Sequence, residues 1–105
     1  MNARILDVRD ADGMAGWVGS AGRLDLVVAN AGVSAGTGGA TEPAEQSRRI
    51  FDINVMGVLN TALPALDVMA GQEPGPHGVR GRIAVVASLA AFVAAPGAPA
   101  YCATK

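Results

Sequence analysis

The stretch LDLVVANAG, Leu24–Gly32, decides how the rest of the chain is read. Leu24 to Ala29 is a short apolar run without clean polar alternation, the pattern of a strand covered on both faces in a parallel sheet. Asn30, Ala31 and Gly32 end that run. In open parallel sheets ligands bind outside the carboxyl ends of the strands, so residues that directly follow such runs are the informative ones.

Two further runs follow the same plan. "ARILDV", Ala3–Val8, starts apolar and closes on Asp7 and Val8, while "RIAVVAS", Arg82–Ser88, closes on a hydroxyl. Helical patterns alternate with the runs. Acids followed by Met14, Trp17 and Val18 predict a short helix stopped by Gly22. Thr41 as cap and Pro43 in the first turn open a long helix, whose apolar set is Phe51, Val55, Val58, Ala62, Leu66 and Met69. Pro64 is expected to kink or loosen it, because proline removes a backbone donor. A last helix starts at about Pro99. Strand, helix, strand, helix, strand, helix is the order of a doubly wound α/β sheet.

Composition narrows the function. The 105 residues suffice for one small domain, and half of them are hydrophobic. A net charge of −1 without like-charge runs gives no footprint for nucleic acid or a polybasic membrane contact. The apolar runs fall short of the ~20 residues that span a bilayer, so a cytoplasmic location is the expectation. The single cysteine, Cys102, forms no internal disulfide, and no cluster of metal ligands is visible. The glycines of "GVSAGTGGA" fit neither phosphate-loop spacing, and His77 reads as an exposed loop residue.

Four residues can carry chemistry. Tyr101 and Lys105, the only tyrosine and the only lysine, stand four apart and share a helix face. An ammonium so placed favours the ionised form of a phenol, which suits a general acid or base. Ser88 ends a strand, where its hydroxyl is placed to donate a hydrogen bond to a substrate oxygen. Asn54 is a polar residue within the apolar pattern of the long helix, and a buried amide needs partners. Taken singly, each also reads as an ordinary structural residue.

Taken together, "NAG" after a strand, "FDINVMG" in the following helix, "GRIAVVAS" and "YCATK" resemble the short-chain dehydrogenase/reductase family in order and spacing. The resemblance runs from Asp7 onward and implies a partial Rossmann-like, doubly wound parallel sheet in a three-layer α/β/α architecture. Residues 1–105 would be the central part of a single NAD(P)-binding domain. It implies that Tyr101 is the proton donor and acceptor, that Lys105 favours ionisation of that tyrosine and bonds the nicotinamide ribose, and that Ser88 holds the substrate oxygen. Asn54 would hold a water linking Lys105 to solvent. Asp7 and Val8 would contact the adenine ring, and Asn30, Ala31 and Gly32 would line the cofactor, NAD or NADP. The reaction implied is reversible hydride transfer between that cofactor and a small carbonyl or alcohol substrate, with no metal.

Family members are roughly twice this length or more, with two βαβαβ halves. The resemblance therefore implies that the chain starts at the third strand, without the glycine-rich pyrophosphate turn, and stops within the catalytic helix. The fragment alone is expected to be unstable and inactive, and the parent to be a homodimer or homotetramer. Leu24–Ala29 is expected to pair in parallel with Arg82–Ser88, and Ala3–Val8 to find no neighbour. Phe92 and Val93 suggest an apolar wall for the substrate. Three other readings stand beside this one: a nucleotide-binding protein without turnover, a nucleotide-sugar epimerase or dehydratase, and a truncated product with no activity.

Overall fold

The computed structural model describes residues 3–34 and 42–105. Two parallel strands form its sheet, β1 (Leu26–Ala29) and β2 (Arg82–Val85), with Leu26 opposite Arg82 and Ala29 opposite Val85. The expected pairing is therefore observed, on shorter strands than the apolar runs. Residues 3–8 form no strand, because extended backbone becomes a strand only through a ladder and no strand among the described residues pairs with this segment.

Helix α1 (Ala11–Gly19) begins where Asp10 acts as N-cap, its Oδ1 accepting from the Gly13 N–H at 2.9 Å. Met14 and Val18 of its apolar set are buried, and Gly22 beyond its end takes a φ of +74°. The long helix runs as α2 (Ala44–Phe51), a π-helical turn (Asp52–Met56) and α3 (Gly57–Ala70). Pro43 is its N-cap rather than part of its first turn, and Thr41 lies outside the described residues. By length and composition Ala44–Ala70 would suffice to cross a membrane; here it packs on α1 and the sheet.

The irregularity expected at Pro64 lies elsewhere. Residues 57–70 continue through Pro64 as one helix, and the backbone widens instead at Asp52–Met56, around Asn54. A π turn adds a residue to the helical circuit and re-aims the side chains on either side of it. Beyond it Gly57 allows a close approach: a Cβ there would stand 2.7 Å from Cγ2 of Val8.

Met14, Val18, Ala29, Ala65 and Met69 form a small core between α1, α3 and β1. Each large side chain among them contributes about 1.5–3 kcal/mol by leaving water. The other face of β1 is bare, with Leu26 at 59% and Val28 at 52% exposure. The strands were expected to be covered on both faces; among the described residues only one face is. The described chain thus forms two layers of the three-layer stack. A 3-10 turn (Leu89–Phe92) and helix α4 (Pro99–Thr104) follow β2 beyond its carboxyl end.

Candidate active site

Asn54 is the centre of the site. It is 4% exposed, and its amide meets three partners. Its Oδ1 accepts from the Val33 N–H at 2.8 Å, while Nδ2 donates to the Val33 carbonyl and to Thr104 Oγ1, both at 3.0 Å. The Thr104 hydroxyl donates to the Tyr101 carbonyl at 2.9 Å. A chain of hydrogen bonds therefore joins the loop after β1, the π turn and α4. Buried amides satisfied in this way fix a unique arrangement.

Lys105 reaches the same place from the end of α4. Its Nζ donates to the carbonyl of Val86, the residue after β2, at 3.0 Å. Gly32 lies between Lys105 and Asn54: a Cβ on Gly32 would stand 3.1 Å from Nζ and 3.3 Å from Oδ1. Glycine leaves open a space that any side chain would fill.

Ser88 caps the 3-10 turn, its Oγ accepting from the Ala90 N–H at 3.1 Å. That bond uses a lone pair and leaves the hydroxyl hydrogen for another acceptor. The turn packs against α4, so Ser88 and Tyr101 stand on adjoining elements; no hydrogen bond joins their side chains among the described residues. Tyr101 is half-buried. Phe92, 86% exposed, and Val93 line an apolar groove with Pro96, Pro99 and Cys102.

Asp7 and Val8 form a second cluster. The Asp7 carboxylate accepts from the Arg9 side chain and from the Arg9 backbone N–H. The guanidinium, together with that backbone bond, holds the Asp7 carboxyl at about 2, well below its ordinary value. The Val8 carbonyl accepts from Nδ2 of Asn60 at 2.9 Å. Arg9 also lines a cleft with Ser34, Gln46, Arg49 and Asp52, between this cluster and α2. Asn30, Ala31 and Gly32 are exposed beyond β1, and His77 is exposed as expected.

The structure brings Gly32, Asn54 and Lys105 together, ties the backbone carbonyl of Tyr101 to Asn54 through Thr104, and holds Ser88 on the adjoining turn. Asp7 and Val8 are anchored separately. Thr104 and Asn60 escape a reading by sequence pattern. Thr104 lies within YCATK, and its position before the lysine was its only signal; Asn60 is a second polar residue within an apolar helix.

Known proteins resemble this chain in sequence and fold. The family model for short chain dehydrogenases matches residues 3–105. An uncharacterized oxidoreductase of Myxococcus xanthus is 42% identical over 85 residues, covering 81% of this chain and 31% of that protein. The human 3-hydroxyacyl-CoA dehydrogenase type-2 is 36% identical over 93 residues, covering 83% of this chain and 36% of that protein. The chain thus spans about a third of the length of these curated relatives. The crystal structure of a 3-oxoacyl-[acyl-carrier protein] reductase with bound NAD from Brucella melitensis superposes with a TM-score of 0.75 at 28% identity, over 94% of this chain and 38% of that one. The chain belongs to the short-chain dehydrogenase family of oxidoreductases, with a partial Rossmann-type fold.

Proposed function

We propose that the protein carrying this chain catalyses reversible hydride transfer between NAD or NADP and a small carbonyl or alcohol substrate. The observation that carries this reading is the convergence of Gly32, Asn54 and Lys105 beyond the carboxyl ends of β1 and β2, with Lys105 ending the helix whose Tyr101 backbone carbonyl is tied to Asn54 through Thr104. The space kept open by Gly32 beside the Lys105 ammonium fits a cofactor, and Asn30 and Ala31 extend the same exposed edge. When bound, the nicotinamide supplies or accepts the hydride.

The remaining work falls to the chain. Tyr101 gives a proton to the substrate oxygen or takes one from it. Ser88 donates its free hydroxyl hydrogen to that oxygen and holds it near the tyrosine. Lys105, with two ammonium hydrogens beyond the one spent on Val86, bonds the cofactor ribose and stabilises the phenolate. Asn54 holds the loop against α4 and keeps a water beside Lys105 through which the proton leaves. The cleft that Arg9 lines, beside Asp7 and Val8, takes the adenine end.

The protein works in the cytoplasm without a metal and assembles as a homodimer or homotetramer. The exposed stripe of Met56, at the end of the π turn, and Leu59, Leu63 and Leu66 on α3 supports self-association. Residues 1–105 by themselves, a third of the length of the relatives, are expected to show no turnover.

The test is Tyr101→Phe in the protein carrying this chain. Loss of NAD(P)H-linked turnover by roughly a thousandfold, with cofactor affinity retained, is the expected result. Full turnover in the variant would rule out Tyr101 as the proton-transfer group.

A further inference from the structure

We infer that Glu42 is a positioning residue for the tyrosine-bearing helix. The inference rests on the hydride-transfer reading above. Helix α4 has six residues, too few to be stable in water without support. Its N-cap, Ala98, carries no side-chain oxygen, and Pro99 at its first position has no N–H. The first donor that needs a partner is the Ala100 N–H, and Oε2 of Glu42 accepts from it at 2.7 Å.

Glu42 thus takes the place of the missing cap from 58 residues away, and a carboxylate is the favoured acceptor at the positive end of a helix. The residue it fixes, Ala100, is buried and directly precedes Tyr101. Glu42 also stands just before α2, which packs against α4. Farther along the same helical rod Asn54 reaches Thr104 near the other end of α4. The short helix is held at one end by the residue that leads into the rod and at the other by the rod itself, with Tyr101 between the two attachments. Glu42 touches no reacting atom; it acts by setting where the phenol stands.

The test compares Glu42→Ala, which removes the acceptor, with Glu42→Gln, which keeps an acceptor oxygen, in the protein carrying this chain. In Glu42→Ala, kcat falls roughly tenfold while KM for the cofactor stays within about twofold, as expected for a misplaced catalytic group. Amide hydrogen exchange quickens at Ala100–Thr104 and stays unchanged in α1, which also shows that the variant is folded. Glu42→Gln restores most of both properties. Unchanged exchange in α4, unchanged kcat despite faster exchange, or a glutamine variant no better than alanine would each overturn the inference. If the unaltered protein shows no turnover, the hydride-transfer reading fails by itself. Exchange at Ala100–Thr104 and the ring resonances of Tyr101, assigned by their loss in Tyr101→Phe, then decide whether Glu42 sets its position.

Discussion

Two side-chain amides hold β1, one near each end. Gln72 accepts from the Leu24 N–H at 2.6 Å and donates to the Leu24 carbonyl at 3.0 Å, ahead of the strand; Asn54 makes the same pair of bonds to Val33, beyond it. Each imitates a neighbouring strand by meeting both backbone groups of one residue. They differ in the third bond. Gln72 donates to the Arg80 carbonyl, which leads into β2, whereas Asn54 donates to Thr104 on the helix that carries Tyr101. The same amide chemistry serves only the fold at the amino end of the sheet and serves the site as well at the carboxyl end, where ligands of parallel sheets bind.

Alanine at each position is the strongest way to break this comparison. Asn54→Ala removes a buried amide with three hydrogen bonds and should cost about 3 kcal/mol, against about 1–2 for Gln72→Ala, whose amide is half-buried and whose Arg80 partner is exposed. Urea unfolding measures both. Per folded molecule, Asn54→Ala should lower NAD(P)H-linked turnover by roughly a hundredfold, and Gln72→Ala should leave it unchanged. Equal losses of turnover would erase the distinction between the two ends.

A subtler change sharpens it. In Gly32→Ala the new Cβ at 3.1 Å from Nζ of Lys105 forces the lysine to give by a few tenths of an ångström. Stability should fall by about 1 kcal/mol: Nζ ends a flexible side chain, whereas Asn54 Oδ1, 3.3 Å from the new Cβ, is held by the Val33 N–H. Turnover should fall by roughly tenfold, because the displaced ammonium belongs to the site. Steady-state kinetics beside thermal unfolding separates the two effects. A variant that loses stability but no turnover would make Gly32 a packing residue alone.

From Asp10 onward the order of elements was legible because the apolar runs ending in Asn30 and near Ser88 mark strands, and the parallel pairing of β1 with β2 followed from the strand order that the family resemblance implies. The same reading made Ala3–Val8 a strand, and it forms none. Asn54 was legible as a polar residue in an apolar helix. What the residues around it do was not. The π turn at Asp52–Met56 has no compositional mark, and Pro64, which has one, sits within continuous helix. Pattern reading also supposes that an apolar strand is covered on both faces, whereas Leu26 and Val28 stand open. Thr104, Asn60 and Gln72 bond to residues 48 or more positions away, and periodicity reports no contacts at that range.

The smallest expected effect lies at Asp7, away from the amides. Its carboxyl titrates at about 2 rather than 3.8, first because the Arg9 side chain bonds the charged form and then because the Arg9 backbone N–H does. A lowered value in the folded protein means that the pair stabilises above the unfolded value and that this contribution is lost as pH falls toward 2. Both side chains are half exposed, so solvent and salt screen the attraction and the gain stays small. In Arg9→Gln the side-chain bonds weaken while the backbone N–H remains, so the Asp7 midpoint should rise only part of the way from 2 toward 3.8, followed through its carboxyl carbon resonance. A midpoint fixed at 2 would assign the shift to the backbone alone; a full return to 3.8 would mean that the guanidinium also holds the turn in which that N–H points at Asp7. In the second case Arg9 would shape the cleft proposed for adenine, and cofactor affinity should weaken in the same variant.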